Sequence, residues 1–241
     1  TICNVPEITD TDVLCEMLGY LGADVRRASE SVVITSGKIQ NKFIPEIYSK
    51  KLRASYYFMG ALLGKFKHVE ISLPGGCSIG ARPINLHLKG FEALGATITN
   101  DNEKYIVDAK ELTGANIYLD IASVGATINI MLAAVLAEGK TIIRNAALEP
   151  EIDDLILMLN KMGAHVYRTS NRGIIVHGKN NLHGTSFETM PDRIEIGTYL
   201  IAAVATKGKL RMRIQESILV QPLYCFLFPI SLSVWQRLQL Q

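Results

Sequence analysis

The chain has 241 residues, of which 48% are apolar, and its formal net charge at pH 7 is +2. The apolar fraction is enough for a sizeable core, and the length suits one large domain or one and a half ordinary ones. A nearly neutral chain, without a basic block or interleaved basic and aromatic residues, argues against a nucleic-acid partner.

The four cysteines are Cys3, Cys15, Cys77 and Cys225. They form no Cys-x-x-Cys pair, and no histidine lies near them at ligand spacing, so we expect no metal site. Two disulfides would be compatible with secretion, but no signal peptide opens the sequence. We therefore expect reduced thiols and a cytoplasmic location.

The first predicted elements belong to a repeat. Residues 4–27 and 145–168 share a pattern in which apolar residues at helical spacing end at a glycine and a strand follows. A weaker third copy ends at residues 94–98. The matching residues are Asn4, Asp12, Leu14, Met17, Leu18, Gly22, Ala23, Val25 and Arg27 in the first copy, and Asn145, Asp153, Leu155, Met158, Leu159, Gly163, Ala164, Val166 and Arg168 in the second.

Three further elements follow each copy. A hairpin-like segment comes first (residues 32–39, 105–117 and 174–187), then a second helix that closes with Gly-Lys (49–66, 124–138 and 194–206), and then a strand (69–73, 141–144 and 210–214). The period is roughly 70 residues, longer than that of common solenoid repeats. Alternating helices and strands predict an α/β unit that is repeated about three times around one core.

Two of the second helices begin with residues suited to anion binding. Arg53 lies near the start of this helix in the first repeat, and Ser123 and Gly125 lie at its start in the second repeat. Backbone N–H groups at a helix start, together with a guanidinium or hydroxyl group, can hold a phosphate. The alternatives are an ordinary surface arginine and an ordinary N-cap serine, and Ser123 can serve both roles.

Residues 73–83 form the segment with the most distinctive chemistry. They combine three glycines and two prolines with Cys77 and Arg82, which predicts a shaped surface loop. A thiol beside a positive charge tends to have a lowered pKa, and arginine matches phosphate and carboxylate oxygens. The loop indicates chemistry on an anionic substrate, whereas a small buried cysteine and a solvated arginine are the alternatives.

In the third repeat, the second helix begins with Asp192, Arg193 and Glu195. These residues are either a charge cluster between domains or ordinary first-turn residues that the helix dipole favours, and both interpretations stay open. The five histidines show no ligand spacing, and we interpret them as structural or surface residues. They are His68, His87, His165, His177 and His183.

The end of the chain departs from the repeat. After Arg213 the pattern predicts a polar turn and another helix, but residues 217–235 are apolar and contain no acidic residue. Pro222 and Pro229 make this stretch too irregular for a transmembrane helix, and we expect no membrane partner. It is either a divergent buried segment or a tail foreign to the repeat, as a frameshift or truncation would produce. We predict the foreign tail.

Five segments resemble the UDP-N-acetylglucosamine 1-carboxyvinyltransferases, the enolpyruvyl transferases of the first committed step of peptidoglycan synthesis. They are residues 51–55, 73–86, 123–127, 145–152 and 191–198. The resemblance runs from about Ile2 to about Met212. Pro-Gly-Gly-Cys followed by Ile-Gly-Ala-Arg-Pro is highly specific for this group within the wider enolpyruvyl transferase family.

The resemblance implies a fold of two domains, each an inside-out α/β barrel of three similar units, with substrates bound in the cleft between them. Residues 1–189 would form the loop-bearing domain without its N-terminal segment. Residues 190–213 would begin an incomplete second domain, and residues 214–241 would be the atypical tail.

The resemblance also implies an activity, the transfer of the enolpyruvyl group of phosphoenolpyruvate to the 3-hydroxyl of UDP-N-acetylglucosamine with release of phosphate and without a cofactor. Cys77 would be the general acid and the thiol that fosfomycin alkylates, and Arg53 and Arg82 would clamp anionic oxygens. The residues at the nucleotide would be Pro83, Ile84, Asn85, Leu86, Ile121, Ala122, Ser123, Val124 and Gly125.

Two departures from the family pattern keep alternatives open. The family's N-terminal Lys-Asn pair, which contacts phosphoenolpyruvate, has no counterpart here, and the aspartate base of its second domain would lie beyond Met212. The chain is therefore an enzyme of this type, an inactive fragment that still binds UDP-N-acetylglucosamine, or a paralogue that pairs with an intact homologue.

Overall fold

The computed structural model describes residues 1–72, 84–101 and 103–211. The chain divides after Thr189 into two compact units. The described part of the first unit consists of short helices and three four-stranded sheets. The described part of the second unit contains one helix. No helix in these ranges is both long and apolar enough to cross a membrane.

The elements follow one another as a repeated series of strand, helix and hairpin. The first series contains β1 (Ile2–Cys3), α1 (Thr9–Leu21), β2 (Asp24–Ala28) and β3 (Ser31–Thr35). The next contains β4 (Phe43–Ile44), α2 (Glu46–Ser49), a 3₁₀ helix (Arg53–Tyr56), α3 (Tyr57–Phe66), β5 (His68–Ser72), α4 (Asn85–Ala93), β6 (Thr97–Asn100) and β7 (Lys104–Asp108). The last contains β8 (Asn116–Tyr118), α5 (Val124–Ala134), β9 (Lys140–Arg144), α6 (Pro150–Lys161), β10 (His165–Thr169), β11 (Gly173–His177) and β12 (Phe187–Glu188), and α7 (Arg193–Ala205) lies in the second unit.

All three sheets have the same topology. In each, one strand pairs in parallel with a short strand and antiparallel with the second strand of a hairpin, giving the orders β12-β1-β3-β2, β4-β5-β7-β6 and β8-β9-β11-β10. Helical segments ending in α3 connect the parallel strands β4 and β5, and α5 connects β8 and β9, as is usual for such crossovers. This common order confirms the predicted threefold α/β repeat.

The residues that match in sequence also match in conformation. Asn4 and Asn145 both have a positive φ, of 59° and 54°. Each asparagine donates from Nδ2 to the carbonyl that follows the short parallel strand of its sheet, Thr189 at 2.9 Å and Leu119 at 2.8 Å. Asparagine tolerates the left-handed region better than other side chains do, which explains why this residue type stands at both corners.

A second matching pair of contacts joins the helix and the hairpin of each copy. Arg27 forms an ion pair with Asp12 and donates to the carbonyl of Pro6, and Arg168 forms an ion pair with Asp153 and donates to the carbonyl of Ala147. The repeat in the sequence therefore encodes one local structure twice.

The predicted second helices differ from the structure in two respects. The helix expected over residues 49–66 ends at Phe66 as predicted but is divided into α2, the 3₁₀ helix and α3, and the helix expected over residues 124–138 ends at Ala134. The predicted closing pair Gly64-Lys65 lies inside α3, and Lys67 takes the left-handed position with φ of 59°. The Lys67 Nζ compensates by donating to the carbonyl of Gly64 at 2.6 Å.

Helix α5 lies at the centre of the core of the first unit. Seven of its eleven residues are buried, and α3, α4 and α6 all contact it. A Cβ atom on Gly60 of α3 would lie 2.3 Å from the carbonyl oxygen of Asn129, and one on Gly90 of α4 would lie 2.3 Å from Cγ1 of Ile130. The two glycines therefore let α3 and α4 approach α5 more closely than any other residue would allow.

The second unit is described only around α7. The Asp192 carboxylate caps this helix by accepting from the N–H groups of Ile194 at 2.7 Å and Glu195 at 3.3 Å. This contact matches the interpretation of Asp192 as a first-turn residue that the helix dipole favours. The predicted tail over residues 214–241 lies outside the described residues, as does most of the strand predicted over residues 210–214.

The close approach of α3 to α5 gives a stability prediction. We expect Gly60→Ala to lower the free energy of unfolding by about 2 kcal/mol or more, since the new methyl group meets backbone that cannot move without separating two helices. Gly19→Ala in α1 is the matched control, because no atom lies within 4 Å of its added Cβ. It should raise the free energy of unfolding by roughly 0.5–1 kcal/mol. Urea denaturation of both variants measures the difference, and equal values would contradict the close packing.

Candidate functional site

A pocket of about 330 Å³ lies where four elements of the first unit meet. The 3₁₀ helix and α3 form one side, α4 contributes a histidine, and the start of α5 forms another side. The lining residues are Arg53, Ala54, Tyr56, Tyr57, His87, Ser123 and Gly125. The structure thus brings together three residues that the sequence analysis proposed for anion binding, Arg53, Ser123 and Gly125.

The start of α5 is built for hydrogen-bond donation. Ser123 has an extended backbone and is the N-cap, with its Oγ accepting from the N–H of Ala126 at 3.3 Å. The remaining N–H groups of the first turn point out of the helix end and carry the positive end of its dipole. Ser123 is therefore an N-cap, as one of the two interpretations of the sequence held, and it also lines the pocket.

Arg53 supplies the positive charge of the pocket. It begins the 3₁₀ helix and is exposed. Burial raises the pKa of Tyr56 and of Tyr57, and the Arg53 charge opposes that rise in both. Both phenols therefore stay protonated and uncharged near neutral pH.

His87 is the most constrained side chain of the pocket. It is 5% exposed, and its Nδ1 lies 2.7 Å from Nδ2 of Asn129, which is itself fully buried. Oδ1 of Asn129 accepts from the N–H of Gly60 at 2.9 Å. Burial, and secondly the positive charge of Arg53, lower the pKa of His87 to about 4. The imidazole is therefore neutral near pH 7.

Gly125 makes room for this imidazole. A Cβ at Gly125 would lie 3.0 Å from Cε1 and 3.1 Å from Nε2 of His87. The Cε1–Nε2 edge of the ring therefore lies against the first turn of α5. Any side chain at position 125 would push the imidazole away from the helix start.

The other predicted site residues have separate outcomes. Cys77, Arg82 and Pro83 lie outside the described residues. Ile84 is buried at the start of α4, Leu86 packs against the core, and Asn85 is exposed. Ile121 is 71% exposed, and Ala122 and Val124 flank Ser123 without lining the pocket. Substrate contacts for these six described residues stay predictions.

The sequence analysis did not single out Tyr56, Tyr57 or Asn129, and it interpreted His87 as a structural or surface residue. The structure shows His87 buried, and the sequence held a signal for that burial, since Ile84, His87 and Phe91 share helical spacing and are all buried. A histidine on that apolar face needs a partner. Asn129 gave no comparable signal, because its partners come from two other helices.

The sequence matches the EPSP synthase (3-phosphoshikimate 1-carboxyvinyltransferase) family over residues 1–219. It is 53% identical over 209 residues to the UDP-N-acetylglucosamine 1-carboxyvinyltransferase 2 of Oceanobacillus iheyensis, covering 87% of this chain and 49% of the relative. It is 51% identical over 205 residues to the protein of that name from Bacillus subtilis, covering 85% and 48%. The chain spans about half the length of the curated relatives it matches.

Solved structures share the fold at low sequence identity. The enolpyruvyl transferase NikO from Streptomyces tendae aligns with a TM-score of 0.73 at 22% identity, over 84% of this chain and 48% of that one. The EPSP synthase from Acinetobacter baumannii aligns with a TM-score of 0.65 at 20% identity, over 84% and 46%. These alignments confirm the predicted fold class, the inside-out α/β barrel of this family.

The buried His87 makes stability depend on pH. The unfolded chain binds a proton at His87 below about pH 6.5, whereas the folded chain does so only below about pH 4. The free energy of unfolding should therefore fall as the pH falls through this window, by about 2 kcal/mol at pH 5 relative to pH 7.5.

This contribution is measured by urea denaturation at the two pH values. His87→Gln should lose the His87 share of the pH dependence, while His165→Gln, at an exposed position of β10, should keep it. If the pH dependence of His87→Gln equals that of the unsubstituted chain, His87 is not held neutral in the folded state.

Proposed function

The chain belongs to the EPSP synthase family, and we propose that its reaction is the transfer of the enolpyruvyl group of phosphoenolpyruvate to the 3-hydroxyl of UDP-N-acetylglucosamine, with release of phosphate. The names of relatives at about 50% identity support this substrate over a phosphoshikimate. This reaction begins peptidoglycan synthesis. A cytoplasmic location belongs to the same proposal.

The observation that carries the proposal is that Arg53 and the capped start of α5 line the same pocket. UDP-N-acetylglucosamine carries a diphosphate with two negative charges, and a helix start beside a guanidinium is a strong site for such a group. Ser123 and Gly125 belong to this helix start, and the pocket has room for the diphosphate and part of a sugar. The uridine would lie near Pro83, Ile84, Asn85, Leu86, Ile121, Ala122 and Val124.

The chemistry would proceed by addition and elimination. The sugar 3-hydroxyl gives its proton to the aspartate base that the resemblance implies for the second domain and adds to C2 of phosphoenolpyruvate. Cys77 gives its thiol proton to the C3 methylene in the same step, which forms a tetrahedral phosphoketal. Loss of phosphate from C2, with return of a proton from the new methyl group to the Cys77 thiolate, then yields the enol ether. Cys77 acts as a general acid, and Arg53 and Arg82 stabilise the anionic oxygens.

Phosphate release from phosphoenolpyruvate, with and without UDP-N-acetylglucosamine, tests the reaction on the chain as it stands. We expect release that requires the sugar nucleotide and is blocked by fosfomycin, because Cys77 takes part in the addition. Cys15→Ser is the matched control, since Cys15 lies in α1 away from the pocket. The Cys15→Ser variant should release phosphate at the rate of the unsubstituted chain, whereas the Cys77→Ser variant should release it more slowly.

Two other outcomes have definite meanings. Binding of UDP-N-acetylglucosamine without phosphate release would favour the second candidate, an inactive protein that binds the nucleotide or pairs with an intact homologue. Binding of 3-phosphoshikimate in preference to the nucleotide would contradict the proposed substrate.

The anion clamp has its own test. Arg53→Met should raise the Kd for UDP-N-acetylglucosamine by about ten- to a hundredfold, since hydrogen bonds to charged groups contribute about 1.5–3 kcal/mol. Arg26→Met is the control, because Arg26 is an exposed arginine of β2 whose ion pair with Asp24 lies at the surface. Titration calorimetry compares the two variants, and equal affinities would remove Arg53 from the site.

A further inference from the structure

We infer that Asn129 is a positioning residue of this pocket: it holds His87 as the neutral tautomer that carries its proton on Nε2, so that His87 donates to an oxygen of the bound anion. The ligand's identity rests on the proposed function, whereas the tautomer follows from contacts within the chain. No sequence motif marked either residue for this role.

The orientation of the Asn129 amide is determined by its partners. The N–H of Gly60 can only donate, so the atom 2.9 Å from it must be the carbonyl oxygen Oδ1. The other end of the amide is therefore Nδ2, which donates to His87 Nδ1 at 2.7 Å. A ring nitrogen that accepts carries no proton, so in the neutral imidazole the proton is on Nε2.

The protonated nitrogen lies at the pocket. Nε2 would be 3.1 Å from a Cβ at Gly125, which places it against the first turn of α5. His87 also lines the pocket with Arg53. The N–H group therefore joins the donors of the helix start, and a phosphate or carboxylate oxygen satisfies it, whereas a donor group of a ligand does not.

The surroundings of His87 favour this neutral donor. The titratable groups that line the pocket with it, within the described residues, are Arg53, Tyr56 and Tyr57, and Glu151 of α6 interacts with Tyr57. No carboxylate lines the described pocket, so none competes with a ligand for Nε2. The Tyr56 hydroxyl is buried and has no hydrogen-bond partner among the described residues, so it does not compete for Nε2 either.

The variant that isolates this role is Asn129→Asp. A carboxylate at this position still accepts from the N–H of Gly60, but it cannot donate to Nδ1. The imidazole must then carry a proton on Nδ1, and its neutral form presents a lone pair from Nε2 to the anion. At pH 8 the Kd for UDP-N-acetylglucosamine should rise about tenfold or more, and at pH 6, where the imidazolium again has an N–H at Nε2, it should recover to within about threefold.

Thr127→Val is the matched control. Its buried hydroxyl also lies on α5 and accepts from the N–H of Ala147 at 3.1 Å, but it does not contact His87. This variant should lose stability while its affinity and pH profile stay unchanged. A merely structural role for Asn129 predicts the same behaviour for both variants.

The tautomer itself is read from the two ring ¹⁵N shifts of His87 by NMR on the unsubstituted, ligand-free chain at pH 7. We expect a pyrrole-type shift at Nε2 and a pyridine-type shift at Nδ1, and a change at Nε2 when UDP-N-acetylglucosamine or inorganic pyrophosphate is added. The reverse tautomer, or an imidazolium, overturns the inference whatever the chain binds. Failure of the nucleotide with a response to pyrophosphate contradicts the proposed function alone, and an Nε2 that responds to neither probe overturns the role of His87.

Discussion

The close approach of α3 and α4 to α5 is the constraint on which the site depends. Without side chains at Gly60 and Gly90, the two outer helices contact the backbone and side chains of α5 directly. Arg53 lies just before α3, His87 on α4 and Ser123 at the start of α5. A wider spacing between these helices would separate the guanidinium, the imidazole and the helix start. The packing of the core therefore determines the geometry of the pocket.

The threefold repeat supplies the parts of the site but does not make its copies equivalent. The second helix of each repeat begins differently. The first repeat has Arg53 and a 3₁₀ turn at this place, the second has the Ser123 cap, and the third has the Asp192 cap. A cationic residue and a neutral hydroxyl leave their helix starts attractive to anions, whereas a carboxylate satisfies and neutralises its own. The same local fold therefore begins with groups suited to anions at one pair of positions and with a closed cap at another.

The sequence predicted the features that depend on local backbone chemistry. Asparagine at a left-handed corner and serine at an extended N-cap each leave a pattern within a few residues, so the repeat and the N-cap at Ser123 could be predicted. Gly64 was misread as a helix end because a lysine took the left-handed position, while Gly64 itself is buried against the backbone of Leu132. Long-range packing set its identity, and no short pattern reveals that.

His87 and Asn129 illustrate what a buried polar contact costs and what it achieves. Desolvation of an imidazole and an amide is unfavourable, and an apolar pair of similar size would stabilise the core at least as well. Two apolar side chains, however, would leave the N–H of Gly60 buried without its acceptor and the helix start without a directed donor. Asn129 satisfies Gly60 and His87 at once, so it links α3, α4 and α5 through two hydrogen bonds. The polar network thus favours the packing of the three helices in which an N–H group faces the pocket.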